Sequence, residues 1–346
     1  MKNKPNANIR DVAKLAGVSV ASVSRALQDK PGNGVSKELR GRILKICDDV
    51  RYYPNVHTKR MLSSLSNTVA FLFPPAMKDT DIYRRGRMDP NLGAAIAGAE
   101  EEFSHDSIYL TLASTTECFV ANKEYLKLIR GKMVDGILVW GWTKESSYLE
   151  VLLGEKIPVV MIQCGGDFEI TQVVPQDYEG MMALVEHVVQ LGHRSIGIAK
   201  PNSEGSAALG RQCGIMDGLK KAGIEPAFIS NREGFGLEFG FEAGREILDK
   251  APEVSCIMAS NDHAALGVIN AAKERGMHIP ADLSVTGAGG LGISETLELT
   301  TYLSPSYQIG VEGAKLLKKL IKYPDTPPVK LRLPVKLIPG ETTAKK

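Results

Sequence analysis

Short apolar runs alternate with amphipathic stretches from Val69 onward, and this alternation limits the possible folds more than any other feature of the sequence. The apolar runs have the length of buried strands and are Val69–Phe73, Ile108–Leu112, Gly136–Trp140, Val159–Gln163, Ser195–Ala199, Cys256–Ala259 and Leu283–Thr286. The amphipathic stretches have helical spacing and are Leu92–Phe103, Lys123–Arg130, Gly180–Gln190, Arg211–Ala222, Glu238–Asp249 and His263–Arg275. Strands that alternate with helices of about 10 to 15 residues predict βαβ units and parallel sheets, the α/β class. In a chain of 346 residues, about eight such strands fit two doubly wound sheets better than one.

The first 53 residues show a different pattern, which predicts three short helices. Asn8 and Asp11 have the spacing of a capping box, and Gly17 is suited to end the helix that follows. Ser19 is placed to cap a second helix, and a third helix is predicted to begin near Ser36. The side chains expected on the buried faces are Ile9, Val12, Ala13, Leu15, Ala16, Val23, Leu27, Leu39, Ile43, Ile46, Cys47 and Val50. Two helices joined by a tight, glycine-containing turn predict a helix-turn-helix.

The positive charge of the chain is concentrated in this head. Residues 1–66 carry 13 Lys and Arg against 5 Asp and Glu, a net charge of +8, whereas the remainder has a net charge of −6. A folded basic head on a mildly acidic body indicates a polyanionic partner. A solvated basic tail is the alternative from charge alone, and a helical hairpin that docks on another protein is the alternative for a folded head.

The second helix of a helix-turn-helix lies in the major groove of double-stranded DNA and reads base edges from its first turns. Val20, Ala21 and Arg25 occupy those positions, and the guanidinium of Arg25 can donate two hydrogen bonds to guanine O6 and N7. Val20 and Ala21 offer only apolar contact, as with a thymine methyl group. The neighbouring hydroxyls expected to contact phosphates are those of Ser19, Ser22 and Ser24.

Several classes of protein and site are not supported by the sequence. No apolar run approaches the roughly 20 residues that span a bilayer, and the polar start has no apolar segment behind it, so we expect a cytoplasmic protein with no membrane partner. The five cysteines are widely spaced and form no C-x-x-C motif, which argues against a disulfide framework and a metal site. Nucleophile-elbow, zinc-protease and phosphate-loop motifs are missing, so neither catalytic residues nor an enzyme activity is expected.

The segment Gly287–Gly292 satisfies the G-x-G-x-x-G pattern of a dinucleotide-binding loop and follows a predicted strand. It stands near the end of the chain rather than in a first βαβ unit, and no acidic residue closes a second strand about 20 residues further on. We therefore expect no bound cofactor.

Ordered motifs extend through nearly the whole chain. Those in the head are Asn8–Ser19, Ser22–Arg25 and Tyr52–Asn55, and those in the body are Val134–Gly136, Ile157–Val160, Leu191–Ile196, Asn261–Gly267, Pro280–Val285 and Leu299–Thr301. This series resembles the LacI/GalR family of lactose and galactose repressors. The resemblance implies a homodimeric transcription regulator, a repressor by expectation, on a palindromic operator of double-stranded DNA. Its body would be a type I periplasmic-binding-protein-like pair of subdomains around a small effector, a sugar or sugar acid.

The resemblance also implies a hinge after the head, which would become helical only on the operator. The family's apolar lever, usually Leu, aligns with Met61, and its small neighbour, usually Ala, aligns with Thr58. An apolar side chain inserted into the minor groove unstacks a base step and kinks the duplex. Without DNA, the polar and basic hinge would be a plain linker. The further DNA-binding residues that the resemblance implies are Asn8, Tyr52 and Asn55.

The effector cleft is where the sequence departs most from the family pattern. Arg211 matches the ligand-gripping arginine, and Asp262 matches a ligand-facing position, although capping the following helix is an equal alternative for Asp262. Gly289 replaces the aspartate that contacts the effector, and a second family aspartate aligns with Gln176. The expected effector-binding residues are Phe73, Asn91, Trp140, Arg211 and Asp262.

Two choices about this cleft stay open in the sequence. Trp140 is either a stacking face for the effector or a half-buried core residue. The loss of acids, together with the arginines in an extra segment at residues 78–88, favours an anionic effector such as a sugar acid or phosphorylated sugar over a neutral sugar.

The expected boundaries are 1–53 for the head, 54–67 for the hinge, 68–168 with about 300–322 for the first subdomain, and 169–299 with about 323–346 for the second. The competing function is a sugar-binding module or an enzyme on the same two-lobed core. The helical head favours the regulator. The residues after Pro339 show no heptad pattern, so a tetramer through a C-terminal coiled coil is not predicted.

Overall fold

The computed structural model describes residues 7–27, 34–53, 65–75, 89–141, 148–200, 206–230, 232, 234, 236–290 and 292–346. The chain divides into two compact units, Met1–Ser66 and Asn67–Lys346, which we call the head and the body.

The described part of the head contains three helices, α1 (Ile9–Ala16), α2 (Val20–Ala26) and α3 (Lys37–Asp49). The capping box predicted at Asn8 is present, and Gly17 has the left-handed conformation, with φ at 65°, that ends α1. Ser19 and Ser36 cap α2 and α3 by accepting a hydrogen bond from a backbone N–H three residues on. Local hydrogen bonding therefore fixes where each helix begins, and the predicted helix-turn-helix is confirmed.

The three helices enclose a small apolar core, made of Val12, Ala13, Ala16, Val23, Ala26, Ile43 and Cys47. The prediction that Leu15 is buried was wrong, since its side chain is 60% exposed. The buried stripe of α1 runs from Val12 through Ala16 to Ala13, and Leu15 lies beyond the edge of that stripe.

The first lobe of the body is organised by a parallel sheet. Within the described residues its six strands are β1 (Thr68–Phe73), β2 (Tyr109–Ser114), β3 (Gly136–Trp140), β4 (Val159–Ile162), β5 (Thr171–Pro175) and β11 (Lys330–Leu333). The strand order is β2-β1-β3-β4-β5-β11, and every neighbouring pair is parallel. The order reverses between β1 and β3. Open α/β sheets bind ligands in the crevice at the carboxyl ends of such strands.

The second lobe has a smaller parallel sheet. In the part of the chain that the structure describes, its strands are β6 (Ile196–Ala199), β7 (Phe228–Ser230), β8 (Cys256–Ala259) and β9 (Ser284–Thr286). The order is β7-β6-β8-β9, so the reversal lies between β6 and β8. A short antiparallel pair, β10 (Thr301–Leu303) with β12 (Lys336–Ile338), accompanies the two sheets. The prediction of two doubly wound sheets is confirmed.

Helices cover these sheets. The described helices of the body are α4 (Pro90–Ser104), α5 (Glu117–Ala121), α6 (Glu124–Arg130), α7 (Tyr148–Leu153), α8 (Asp177–Gln190), α9 (Ser206–Lys221), α10 (Leu237–Lys250), α11 (Asp262–Glu274), α12 (Ile293–Thr296) and α13 (Ser306–Lys322). The close crossing of α4 and α13 depends on two glycines. A Cβ at Gly98 would lie 2.1 Å from the Tyr307 carbonyl oxygen, and one at Gly310 would lie 2.0 Å from that of Ala95.

Two strands lie in a different lobe from the one expected. Residues 171–175 and 330–333 were expected in the second subdomain, but β5 pairs with β4, and β11 pairs with β5, in the first sheet. The boundary at residue 168 is therefore wrong for these strands, and the division of the body otherwise stays a prediction. The sequence of β11 alternates charged and apolar residues, which suits an edge strand and escapes a search for apolar runs.

Among the described helices, none combines the length and the apolar character that a membrane span requires.

Candidate DNA-reading helix and ligand cleft

The outer face of α2 carries the residues expected to read DNA. Val20 is 40% exposed, and Ala21 and Arg25 are also exposed, while Val23 and Ala26 of the same helix are buried in the core of the head. The Arg25 Nε donates a hydrogen bond to the Ala21 carbonyl oxygen at 3.3 Å. The Arg25 side chain therefore folds back along its own helix.

Hydroxyl groups surround this face. The Ser19 Oγ accepts a hydrogen bond from the Ser22 backbone N–H at 3.1 Å and lies 3.0 Å from the Ser22 Oγ. Ser22 and Ser24 are half-buried and Ser19 is exposed. The start of α2 thus combines the backbone N–H groups of the first helical turn with serine hydroxyls, a combination suited to bind an anionic oxygen.

The other residues expected on DNA have different roles or lie elsewhere. Asn8 is the N-cap of α1, and its Oδ1 accepts hydrogen bonds from the backbone N–H groups of Arg10 and Asp11. Tyr52 is half-buried against the core of the head, and burial raises the pKa of its phenol. Three expected contacts lie outside the described residues and stay predictions: Asn55, Thr58 and Met61.

The two expected aromatic residues of the cleft lie at the carboxyl ends of β1 and β3. Phe73 ends β1, is half-buried and packs against the apolar core of the first lobe, whereas Trp140 ends β3 and is only 6% exposed within that core. Of the two roles considered for Trp140, the structure favours the core residue. Phe73 retains the exposed surface that a ligand contact requires.

In the second lobe, Arg211 projects from α9, the helix that follows β6, into a buried polar cluster. Its Nε donates to the Asp177 Oδ1 at 3.1 Å, and its Nη1 donates to the Ser260 carbonyl oxygen at 2.9 Å. The Tyr302 hydroxyl also donates to the Asp177 Oδ1. Burial is the largest single influence and lowers the pKa of Arg211, but the charge and hydrogen bond of Asp177, together with Tyr302 and Asp262, raise that pKa above its usual value.

Asp262 begins α11 directly after β8 and lies beside this cluster. Its Oδ1 accepts a hydrogen bond from the Thr301 hydroxyl at 2.7 Å, and its Oδ2 accepts one from the Gly290 backbone N–H at 2.6 Å. Burial raises the pKa of Asp262, and these two hydrogen bonds offset part of that effect. The cap of α11 is instead Asn261, whose Oδ1 accepts from the Ala264 N–H at 2.9 Å. The capping alternative for Asp262 was therefore wrong.

Asn91, at the start of α4 in the first lobe, lies near Asp262. Its Oδ1 accepts a hydrogen bond from the Ser306 hydroxyl at 2.7 Å. A Cβ built on Gly289 would lie 3.4 Å from the Asn91 Nδ2 and 3.1 Å from the Asp262 Oδ2. Asn91 and Asp262 therefore face each other across Gly289, one from each lobe.

The same geometry explains why glycine occupies position 289. Its φ of 133° is a conformation that L side chains rarely adopt. A carboxylate there would also lie beside that of Asp262, and two such groups in one buried site repel each other. The glycine-rich segment packs closely around Asp262. The helix after it, α12, has four residues, which is shorter than a dinucleotide-binding helix.

Sequence reasoning missed two members of the cluster, Asp177 and Tyr302. Asp177 stands next to Gln176, where an acid was expected to be missing, and a carboxylate between a buried strand and a helix was the signal that could have found it. Tyr302 lies in a strand of three residues, which no apolar run in the sequence predicts. Two further buried hydroxyls have no hydrogen-bond partner among the described residues: that of Ser260, directly after β8, and that of Thr286, the last residue of β9.

Two family models match the chain. Residues 8–55 match the model for bacterial regulatory proteins of the lacI family, and residues 185–343 match that for a periplasmic binding protein-like domain. The chain is 28% identical to the probable HTH-type transcriptional repressor ExuR of Bacillus subtilis (strain 168), with 92% of each protein covered. It is 29% identical to the ribose operon repressor of the same organism, with 98% of this chain and 99% of that protein covered. Both are named as repressors rather than as enzymes.

A solved structure shares the fold of the whole chain. The Lac repressor dimer bound to operator and the anti-inducer ONPF matches with a TM-score of 0.82 and 21% identity. The match covers 99% of this chain and 100% of that one. The match therefore shows a known fold for this chain.

Proposed function

The chain belongs to the LacI family of bacterial regulatory proteins and is a DNA-binding transcription regulator, and we propose that it is a homodimeric repressor of an operon for carbohydrate use. Each dimer would bind a near-palindromic operator through two heads. A small polyhydroxylated effector would bind between the two lobes of the body. The cytoplasm, where the chromosome lies, is where this function would operate.

The exposed face of α2 is the observation that carries this proposal. Val20, Ala21 and Arg25 face solvent on a helix whose other side is fixed in an apolar core, so the reading face is rigid before DNA arrives. Arg25 would specify a guanine through a bidentate contact, and the serine hydroxyls would fix the register on phosphates.

A second copy of the chain is supported by β2, which is an edge strand of the first sheet. Tyr109 is 71% exposed and Leu112 is 46% exposed on this strand. Unpaired edges with exposed apolar side chains are surfaces that natural proteins cover. We assign this edge to the dimer contact because a palindromic site requires two symmetry-related heads.

The effector site would use Phe73 and Asn91 from the first lobe and Arg211 and Asp262 from the second. Effector bound across both lobes stabilises one mutual arrangement of the lobes, and operator stabilises one arrangement of the heads. The two sites are then coupled, and the coupling is reciprocal by linkage. The ribose operon repressor among the relatives supports a carbohydrate as the ligand.

Binding to DNA from upstream of the gene for this protein tests the proposal. Fluorescence anisotropy of a labelled fragment, measured from about 50 to 200 mM salt, should show tight binding that weakens steeply with salt, because each phosphate contact adds roughly 0.9 to the logarithmic slope. Scrambling one half-site should weaken binding strongly. Equal affinity for scrambled and intact fragments would overturn the proposal and leave a ligand-binding module as the function.

A further inference from the structure

Arg211, the cation expected to grip a ligand, already has a counter-ion inside the protein. Arg211 and Asp177 are only 7% and 6% exposed, and their side chains are joined at 3.1 Å between Nε and Oδ1. A buried guanidinium that is paired in this way attracts a second anion weakly, because the first carboxylate repels it at short range in a medium of low polarity.

A second carboxylate lies close to the pair. Asp262 is 5% exposed, and its charge acts on Arg211. Burial raises the pKa of Asp262, whereas the hydrogen bonds from Thr301 and Gly290 and the charge of Arg211 act in the opposite direction. Among the described side chains that bond to one another in this cluster, Arg211 is the single cation. The cluster is therefore neutral or negative.

We propose that Asp177 is a specificity-determining residue, which acts as a built-in counter-ion for Arg211 and makes the cleft select neutral polyhydroxylated ligands over sugar acids and sugar phosphates. The inference rests on the proposed effector cleft and names the class of ligand that this cleft takes. It reverses the preference for an anionic effector that the sequence suggested, because that preference rested partly on a loss of acids and did not include Asp177.

The uncharged polar groups of the same region complete the argument. The hydroxyls of Ser260 and Thr286 are buried and have no hydrogen-bond partner in the described part of the chain. Sugar hydroxyls both donate and accept, so they can satisfy such groups as well as the carboxylate of Asp262. A carboxylate or phosphate on the ligand is an acceptor only, and it would meet the acceptor oxygens of two aspartates.

The substitution Asp177→Asn removes the charge while it keeps the geometry. Both donors, the Arg211 Nε and the Tyr302 hydroxyl, converge on the Oδ1 of Asp177, and the amide oxygen of asparagine can accept both. The matched control is Glu179→Gln. Glu179 lies on the same helix as Asp177 and pairs with Arg332 on the surface at 3.0 Å. Its substitution removes the same charge as D177N.

Isothermal titration of the full-length chain with matched ligand pairs tests the inference. The pairs are D-glucose with D-glucuronate, D-galactose with D-galacturonate, and D-ribose with D-ribose 5-phosphate. For D177N we expect the affinity for the acidic or phosphorylated members to rise by about tenfold or more relative to wild type, because the guanidinium is no longer neutralised. E179Q should behave as wild type.

Three results would overturn the inference. They are an affinity of D177N for the charged members no higher than that of wild type, an equal gain in E179Q, and tighter binding of a charged member than of its neutral counterpart by wild type. If D177N does not unfold in a cooperative thermal transition, the ligand titrations of wild type alone test the inference. Preference for a neutral member supports the inference, and no preference contradicts it.

The DNA assay separates this inference from the function on which it rests. If wild type binds intact operator in preference to scrambled DNA, the regulator stands whatever the ligand titrations show. If that assay fails while D177N gains affinity for acids, the cleft chemistry stands and the regulatory function is wrong.

Discussion

The guanidinium of Arg25 is held against its own helix by the hydrogen bond from Nε to the Ala21 carbonyl oxygen. This contact restricts the side chain before DNA binds, so less entropy is lost when the guanidinium meets a base. The neighbouring Val20 and Ala21 are exposed but offer no donor. Sequence discrimination by this helix should therefore depend mainly on Arg25.

Replacing Arg25 with alanine should weaken binding of the best operator by about 1–3 kcal/mol and relax the preference at one base position. Anisotropy titrations against operators that vary base by base measure both effects. The control is Lys45→Ala, which removes an exposed cation of α3 and should leave the base preference unchanged. An R25A variant that discriminates as well as wild type would show that another residue reads the site.

Removing only one partner of the buried pair Arg211 and Asp177 should lower the stability of the fold strongly. Arg211→Met leaves the Asp177 carboxylate buried without its cation, and we expect a loss of about 3–5 kcal/mol in the free energy of unfolding. The double variant D177N/R211M should be more stable than R211M alone, because the carboxylate of residue 177 is then no longer buried without its cation. Urea unfolding followed by circular dichroism measures the difference. A double variant as unstable as the sum of the single ones would contradict the pairing.

The last residues of the chain form an element that no apolar pattern predicted. The Val285 N–H donates to the Thr342 carbonyl oxygen at 2.8 Å, which ties the tail to the edge of β9. His193 lies between the Ser255 Oγ, at 2.9 Å from its Nδ1, and the Ala344 carbonyl oxygen, at 3.0 Å from its Nε2. The tail is held by polar contacts, which the composition of the segment does not reveal.

Stability of this element should depend on pH. Burial lowers the pKa of His193, and the neighbouring Lys346 and His187 act in the same direction against the hydrogen bond to Ala344. Burial also lowers the pKa of His187. The unfolded chain then binds more protons than the folded one as pH falls below the ordinary histidine value of about 6.5. The stability contributed by the neutral rings is complete above that pH and is lost below it.

Urea unfolding at pH 7.5, 6.5 and 5.5 would measure this effect. The free energy of unfolding should fall over this range in wild type and fall less in His193→Gln, whatever the absolute stability of the variant. His278→Gln removes a side chain that is 84% exposed and should retain the wild-type slope. Parallel slopes for wild type and H193Q would contradict the prediction.

The strands of the body differ in how clearly the sequence predicts them. The strands β1, β3 and β4 are almost entirely apolar because they are buried in the sheet and covered on both faces. β5, with Thr171 and Gln172 in a fully buried strand, does not follow that pattern. The Gln172 amide hydrogen-bonds to the backbone of Gly166 and Phe168, six and four positions earlier, which satisfies its polar groups inside the buried strand.

At the scale of the whole molecule, the proposed dimer can be tested through β2. Tyr109→Glu places a charge on the exposed edge strand and should give a monomer in light scattering after size exclusion, because a charge on an edge strand opposes edge pairing. The monomer should bind operator far more weakly, since it engages one half-site. Tyr323→Glu, at another exposed tyrosine, should remain dimeric. A dimeric Y109E would place the contact elsewhere.

Sequence by itself determined the features that depend on near neighbours along the chain. The helix caps at Asn8, Ser19 and Ser36, the left-handed Gly17, and the alternation of strands and helices all follow from local hydrogen bonding and from the periodicity of buried positions. Hence the helix-turn-helix and the two parallel sheets were predictable. The family motifs also indicated Arg211 and Asp262 as residues of one cleft, which stays a prediction.

Only the tertiary structure decided what those residues meet. The Tyr302 hydroxyl donates to the Oδ1 of Asp177, which lies 125 positions earlier in the chain. Asp262 is held by the Thr301 hydroxyl and by the Gly290 N–H, 39 and 28 positions away. Charge in a buried site is set by every group within a few ångströms, and such neighbours come from strands and helices that sequence separates widely. The charge of the Arg211 cluster, on which the proposed class of ligand depends, is therefore decided only by the tertiary structure.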